Sequence, residues 1–254
     1  CFSSYGKVYW IKVYRLPRGG RNAKGRPIVN LLPLEKDERI QAVLPVKEFN
    51  DDQFVFMATE SGSVKKTKLS AYSRPMKSGI KAIKLREGDR VVNAEITDGS
   101  KEIMLFSNSG KSIRFKETDA RPLGRVSQGV RGMRIEKDQR IISLVVLEEG
   151  NILVATENGF GKQTLKDEFS IQKRGGKGVI AIQTSKRNGS LIGANQVSGG
   201  DEVMFISTSG NLIRTRTDDI SVIGRNTQGV RLIRLSEDDN LLGMEKVISE
   251  DNEE

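Results

Sequence analysis

The chain has 254 residues, with 42 Lys and Arg against 33 Asp and Glu, a formal net charge of +9 and a pI near 9.6; a basic surplus of this kind is the footprint of a surface that meets a polyanion. It holds one cysteine, Cys1, and no histidine, which excludes an internal disulfide framework, Cys/His metal sites and every catalytic scheme that needs an imidazole. No apolar run approaches the roughly 18 residues of a membrane span, and Cys1-Phe2-Ser3-Ser4 shows neither an initiator Met nor a signal pattern, so the expectation is a piece of a longer cytosolic protein with no membrane partner.

The first predicted element is a hairpin around Gly6, where an apolar run, a small polar turn ending in glycine and a second run follow one another. The same arrangement returns at Gly62, Gly110, Gly159 and Gly210, at intervals of 56, 48, 49 and 51 residues. After a polar, basic stretch each unit carries a second glycine that opens another apolar strand: Gly25, Gly79, Gly129, Gly178 and Gly229, at intervals of 54, 50, 49 and 51. Two independent anchors with one period identify a tandem repeat. The repeat bodies agree: Gly129-Val130-Arg131-Gly132-Met133-Arg134-Ile135 matches Gly229-Val230-Arg231-Leu232-Ile233-Arg234-Leu235, and Ser127-Gln128 matches Thr227-Gln228. A third apolar run closes each unit after a charged turn, as in Arg140-Ile141-Ile142-Ser143-Leu144 and Asn240-Leu241-Leu242-Gly243-Met244.

Turns such as Asn108-Ser109-Gly110 and Thr208-Ser209-Gly210 put glycine where a hairpin needs positive φ. No heptad or 3.6-residue stripe competes with these strands. Units of about 50 residues with four short strands each predict an all-β protein, a propeller-like disc with blades at 1–48, 49–99, 100–149, 150–199 and 200–248. The first blade is expected to be incomplete at its N-terminus and the disc to have an open or poorly closed edge. Residues 249–254 hold four acids and no base, which predicts a disordered acidic tail that weakly masks the basic surface.

The strand after each hairpin glycine alternates apolar and basic residues, as in Ile113-Arg114-Phe115-Lys116 and Ile213-Arg214-Thr215-Arg216. Side chains two apart share a face, so Arg114 goes with Lys116 and Arg214 with Arg216. Lys66 and Lys68 hold the same offsets in the second unit, and Trp10 and Lys12 in the first; the fourth departs, with Gln163 and Leu165 there and Lys162 and Lys166 beside them. A solvated strand face ordinarily mixes both signs. No acid holds either offset in any of the five units, so the expectation is a cationic track for phosphate. The loops before the second glycine add Arg18, Arg21, Lys24, Arg26, Arg74, Lys77, Arg121, Arg125, Lys173, Arg174, Lys177 and Arg225, long donors suited to phosphate oxygens. Aromatics are 6% of the chain and are not interleaved with these bases, which argues against a base-stacking reader of single strands or RNA. No helix-turn-helix, zinc-finger or basic-zipper pattern supports direct base readout. Duplex DNA backbone is the expected partner, with no catalytic residue, no metal site and no cofactor in this chain.

The sharpest short motif is Gln172-Lys173-Arg174-Gly175-Gly176-Lys177-Gly178, whose glycines let backbone approach a phosphate while three cations surround it. Set inside a 50-residue β repeat, it resembles the Q-R-R-G-G-K-G box that marks the A subunit of bacterial DNA gyrase, in its C-terminal domain. Tyr5-Gly6-Lys7-Val8-Tyr9, Lys24-Gly25-Arg26-Pro27-Ile28-Val29-Asn30-Leu31-Leu32-Pro33-Leu34 and Ile223-Gly224-Arg225-Asn226-Thr227-Gln228-Gly229-Val230 extend the resemblance over essentially the whole chain. The resemblance implies a six-bladed β-pinwheel with strands exchanged between blades, whose basic perimeter wraps DNA so that strand passage elsewhere introduces negative supercoils. It implies the rest of the gyrase A subunit and the gyrase B subunit as partners in an A2B2 assembly, ATP and Mg bound elsewhere in the parent enzyme, a type IIA topoisomerase, and a bacterial, cytoplasmic, chromosome-associated setting. In that family the box lies in the first blade; here it lies in what would be the fifth. The implied reading is that a first blade with the primary box precedes this chain and that 172–178 is a degenerate second copy. The family's catalytic tyrosine region is absent, and Tyr5, Tyr9, Tyr14 and Tyr72 read as packing residues.

Three other readings compete. The C-terminal domain of the topoisomerase IV A subunit shares the fold, but the box-like heptapeptide and acidic tail favour gyrase. A protein-interaction propeller of the WD40 type lacks its signatures, the chain having one Trp in total. A hydrolase needs a carboxylate pair in a pocket, and no carboxylates recur in such a constellation.

Overall fold

The structure, a computed structural model, describes residues 1–19, 24–236 and 238–247. Arg21, one of the expected loop donors, and the acidic tail at 249–254 lie outside the described residues. The expected all-β class is found: the regular elements among the described residues are β-strands and short 3-10 segments.

The chain divides into two compact units, Cys1–Gly99 with Ala120–Val130, and Ser100–Asp119 with the residues from Arg131 onward. In the first unit one sheet orders Ile40–Ala42, Phe2–Ser3, Lys7–Val8 and Ile80–Lys81, and a second orders Val130–Arg131, Ser63–Lys68, Phe54–Thr59 and Val91–Thr97. In the second unit one sheet orders Ile141–Leu147, Glu102–Ser107, Lys111–Lys116 and Val179–Ile180, and the next Leu191–Val197, Asn151–Thr156, Phe160–Thr164 and Val230–Arg231. A last sheet has three strands among the described residues: Leu212–Arg216, Glu202–Ser207 and Leu241–Val247.

Repeats two to five each supply four strands, as expected, and one of the four is exchanged into a neighbouring sheet, as the resemblance implies. The fourth strand of every four-stranded sheet is a two-residue segment lent by the following repeat. Val179–Ile180 pairs with Ser112 and Lys111, and Val230–Arg231 with Gly161 and Phe160. The exchange explains why a second glycine recurs at the same period. Gly178 has φ +71° and lies so close to the preceding repeat that a Cβ would sit 2.2 Å from the Ser112 carbonyl oxygen; only glycine accepts both the left-handed backbone and the approach. In the first repeat the segment after Gly25 departs from the pattern. Ile28–Asn30 form a 3-10 turn behind Pro27, which has no N–H to give to a ladder.

Within each unit the cores lie between successive sheets. Met104, Phe106 and Val145 pack with Ile152, Val154 and Leu191 of the next sheet, and Phe169, Ala181 and Ile182 complete the cluster. Full burial of each such side chain contributes on the order of 1.5–3 kcal/mol. A second cluster joins Leu153 and Ala155 to Val203, Phe205 and Ile220, and the first unit has its own around Val8, Val55, Met57 and Tyr72. The middle strands Phe54–Thr59, Glu102–Ser107 and Asn151–Thr156 are buried on both faces, which is why they read as continuous apolar runs rather than alternating ones. Tyr9 and Tyr72 are core residues as expected, whereas Tyr14 is 80% exposed and packs on nothing of the kind.

Candidate nucleic-acid interface

The cations at the sixth position after each hairpin glycine, Lys12, Lys68, Lys116 and Arg216, are all exposed. Those at the fourth position are not a uniform outer face. Lys66 and Arg114 are only 4% and 9% exposed, a correction with a repeated cause. The loop of the following repeat runs parallel to the second strand and touches it at this position, through the bridges Lys66↔Pro122, Arg114↔Ile171 and Gln163↔Val222. Leu123, Gln172 and Ile223 donate their amides to the carbonyls of Lys66, Arg114 and Gln163 at 2.8, 2.8 and 2.9 Å.

Arg114 is consequently a staple. Its Nε donates to Glu102 Oε2 at 2.8 Å, and its Nη1 to the carbonyls of Lys166 and Phe169 at 2.9 and 3.0 Å. Gln163 does the same work without charge, its Nε2 donating to Thr217 O at 2.6 Å and Ile220 O at 3.1 Å, so the departure of the fourth unit keeps the hydrogen bonds and drops the cation. Lys66 lies 5.0 Å from the centre of the Phe54 ring, a cation–π contact. Arg214 is exposed and paired with Glu202, while Arg216 approaches Asp218 at 3.3 Å and Lys68 approaches Asp51 at 3.6 Å. These last pairs are solvent-exposed and weak enough to yield to phosphate.

The loop donors divide in the same way. Arg18, Lys24, Arg26, Arg74, Lys77 and Arg121 are exposed, and Arg125 and Arg225 are half-buried. Arg125 Nη1 donates to Lys81 O at 2.7 Å, and Arg225 Nη1 to Ile180 O at 3.0 Å, so each reaches the short strand its own sheet neighbour has exchanged. In the box-like loop, Lys173 and Lys177 are exposed, whereas Arg174 bends inward. Its Nε donates to Asp119 O at 2.8 Å and its Nη1 to Arg131 O at 3.0 Å. Gly175, at φ +84°, donates its amide to Gly132 O at 2.6 Å. Gln172 anchors the loop start on Arg114, and Gly176 and Gly178 carry the chain past the Ile113 side chain and Ser112 backbone. The loop thus presents two lysines on a backbone fixed by one arginine.

Two lysines, Lys65, which the sequence does not single out, and Lys162, noted only as a neighbour of Gln163, reach these loops from within. Lys65 and Lys162 are wholly buried. Lys65 Nζ donates to Ala82 O at 2.5 Å and to Arg125 O; Lys162 Nζ donates to Gly224 O at 2.6 Å, Arg225 O at 2.5 Å and Thr227 Oγ1 at 3.1 Å. Burial, and then the nearby Arg125 charge, pushes the Lys65 ammonium down to about 7. Lys162 is pushed down to about 8 by burial and by Arg225, with Glu168 opposing. The available signal was that repeats three and five put Ile113 and Ile213 at this same offset.

Among the described residues no helix is long and apolar enough to cross a membrane. A family model described as DNA gyrase C-terminal domain, beta-propeller matches residues 1–47, 53–98, 101–148, 150–198 and 201–248. The chain is 52% identical over 248 residues to the A subunit of DNA gyrase from Salmonella typhimurium, spanning 97% of this chain and 28% of that protein. With the A subunit of DNA gyrase from Escherichia coli it shares 50% identity over 255 residues, spanning 100% of this chain and 29% of that one. The chain therefore spans less than a third of the length of these relatives. A solved DNA gyrase A C-terminal domain superposes with a TM-score of 0.84 at 28% identity, covering 97% of this chain and 81% of that one. The C-terminal domain of DNA topoisomerase IV superposes at 0.89 with 26% identity, covering 97% and 77%. With all five repeats matched one by one, the chain belongs to the DNA gyrase C-terminal domain family.

Proposed function

We propose that this domain binds and wraps duplex DNA through its backbone, without sequence preference, using the exposed cations that recur in its repeats, so that strand passage by the rest of a gyrase introduces negative supercoils. The observation that carries the reading is the recurrence of an exposed Lys or Arg at one offset in four of five repeats: Lys12, Lys68, Lys116 and Arg216. Arg214, Lys24, Arg26, Arg125, Arg225, Lys173 and Lys177 supply further donors beside it. Lys66, Arg114 and Arg174 act behind the surface, holding the loops that carry those donors. Long cationic side chains that recur at one offset suit phosphate oxygens, which carry charge but no sequence information.

The half-identical gyrase relatives support gyrase over topoisomerase IV, whose C-terminal domain shares the fold. On this reading the partners are duplex DNA, the remainder of the gyrase A subunit and the gyrase B subunit in an A2B2 assembly. ATP and Mg bind elsewhere in that assembly, the chemistry of strand cleavage lies outside this chain, and the setting is the bacterial cytoplasm, on the chromosome.

The test is topological. Relaxed circular plasmid is saturated with the domain, treated with a nicking-closing enzyme and deproteinised. A shift in linking number is expected; unchanged topoisomers at saturation would leave binding without wrapping, and no retention of linear duplex at low salt would remove the DNA reading altogether.

A further inference from the structure

Lys65 and Lys162 have no place in the phosphate track, because neither reaches solvent. Each crosses from the second strand of its own repeat to the loop of the next, and the two loops reached have one sequence pattern: Gly124-Arg125-Val126-Ser127-Gln128-Gly129 and Gly224-Arg225-Asn226-Thr227-Gln228-Gly229. Both ammonium groups end on backbone carbonyls, including that of the loop arginine itself. Both arginines then turn their Nη1 onto a short exchanged strand, at Lys81 and Ile180. Each loop is fastened twice, from below by a buried lysine and from above by its own guanidinium. Repeat three needs no such lysine, since Ile113 fills the offset beneath the box-like loop. An apolar residue thus serves the fold at this position, and a buried ammonium is unfavourable for folding unless it is fully compensated.

We propose that Lys65 and Lys162 are positioning residues for DNA binding, whose buried ammonium groups hold the Arg125 and Arg225 loops in the conformation that presents those arginines to phosphate. The inference rests on the DNA reading above. It has a consequence that a merely structural lysine lacks. The charged group acting on Lys65 is Arg125, which also acts on Tyr72, a phenol pushed up to about 12 by burial. Those acting on Lys162 are Glu168 and, more weakly, Arg225. The charge acting on Lys65 is cationic, whereas on Lys162 the acid Glu168 outweighs Arg225. A phosphate arriving at Arg125 or Arg225 adds negative potential and favours the charged form of the lysine beneath. DNA binding and protonation of these two lysines therefore help one another, and affinity falls as pH rises through 7 to 9. A rise of about one pKa unit on binding corresponds to a tenfold change in affinity per lysine across that window. The background is quiet, because the chain has no histidine. The α-amine of Cys1, lowered by burial to about 6, titrates below the window, and the Cys1 thiol is removed by Cys1→Ser.

The experiment is calorimetric titration of the Cys1→Ser chain with a linear duplex between pH 7 and 9, in buffers of different ionisation enthalpy. Net proton uptake of roughly half a proton per lysine is expected midway between free and bound pKa values. Lys65→Met and Lys162→Met are each expected to remove their share and to weaken binding several-fold near pH 7, with the far-ultraviolet spectrum intact. Should either variant fail to fold, ε-13C-lysine resonances of the unsubstituted chain report the same event: two that titrate near 7 and 8 are expected to move upward with DNA. Tight binding with no proton uptake and no pH dependence would overturn the positioning role. Failure of the unsubstituted chain to bind duplex at any pH would instead overturn the DNA reading.

Discussion

Arg114 and Glu102 form a diagonal ion pair across one hairpin, Nη2 to Oε2 at 2.5 Å, and Arg214 and Glu202 form the same pair one hundred residues further along. The two differ in cover. The Arg114 side chain is 9% exposed beneath the loop that follows it, whereas that of Arg214 is 55% exposed. Arg114→Ala strands Glu102 and the carbonyls of Lys166 and Phe169, so a loss of about 2–3 kcal/mol is expected in urea denaturation, tempered from the fully buried case because Glu102 still touches water. Arg214→Ala is expected to lose less than about 1 kcal/mol. For DNA the two differ in kind, since Arg214→Ala removes a phosphate donor, whereas Arg114→Ala acts only through the loop that Arg114 holds.

The salt dependence of binding is set by how many cations reach phosphate. With Lys66 and Arg114 turned inward, the strand track offers Lys12, Lys68, Lys116, Arg214 and Arg216, and their contribution to the log–log slope is about −4.5 in place of roughly −6 for seven contacts. Lys116→Ala combined with Arg216→Ala is expected to flatten the slope by about 1.8. Filter binding of an unrelated duplex between roughly 50 and 300 mM salt reads this directly, and Lys66→Ala leaves the slope unchanged if its side chain stays beneath the loop.

Much of this fold was legible because a 50-residue period survives substitution: Gly129 and Gly229, or Ile113 and Ile213, can be laid side by side. What failed was the assumption that side chains two apart on one strand meet one environment. Arg114 and Lys116 share a face, but the cover over Arg114 arrives from Ile171 and Gln172, more than 50 residues away, and strand periodicity carries no information about it. Lys65 and the role of Lys162 escape the sequence for a related reason. A lysine in a basic strand reads as solvated, and burial shows only when the isoleucines at the same offset are noticed. Tyr14 erred the other way, an aromatic in a strand-like run that stays exposed.

Within the box-like loop the three cations are expected to separate by function. Arg174→Ala removes two hydrogen bonds to backbone and loosens the loop by about 1–2 kcal/mol, which hydrogen exchange at the Gly175 amide reports, since that amide donates to Gly132 O. Lys173→Ala and Lys177→Ala leave exchange unchanged and weaken DNA binding instead.

Strand exchange makes a sharp demand at Gly178. An added Cβ there would sit 2.2 Å from Ser112 O at φ +71°, whereas Gly200, at φ +81°, has nothing within 4 Å. Gly200→Ala suffers only the left-handed backbone, about 1–2 kcal/mol. Gly178→Ala adds displacement of the Val179–Ile180 strand and is expected to lose about 3 kcal/mol or more. Equal thermal shifts for the two variants would mean that the exchanged strand contributes nothing to stability.

The buried lysines impose a pH dependence on stability whose sign is opposite to that on DNA affinity. Lys65 and Lys162 titrate at about 7 and 8 in the folded chain, below the ordinary lysine value of about 10.4 that they regain on unfolding. Between these values the unfolded chain binds more protons than the folded one, so unfolding free energy rises with pH. Below about pH 7 both states hold the proton and the burial penalty is present in full. The urea midpoint of the unliganded chain is therefore expected to climb between pH 7 and 9, where few other groups titrate because histidine is absent. In Lys65→Met and Lys162→Met the climb flattens, and at pH 7 each variant is at least as stable as the parent while binding DNA more weakly. A midpoint that is level from pH 7 to 9 would mean that the ammonium groups are fully compensated by their carbonyl partners, and that the two lysines remain charged throughout.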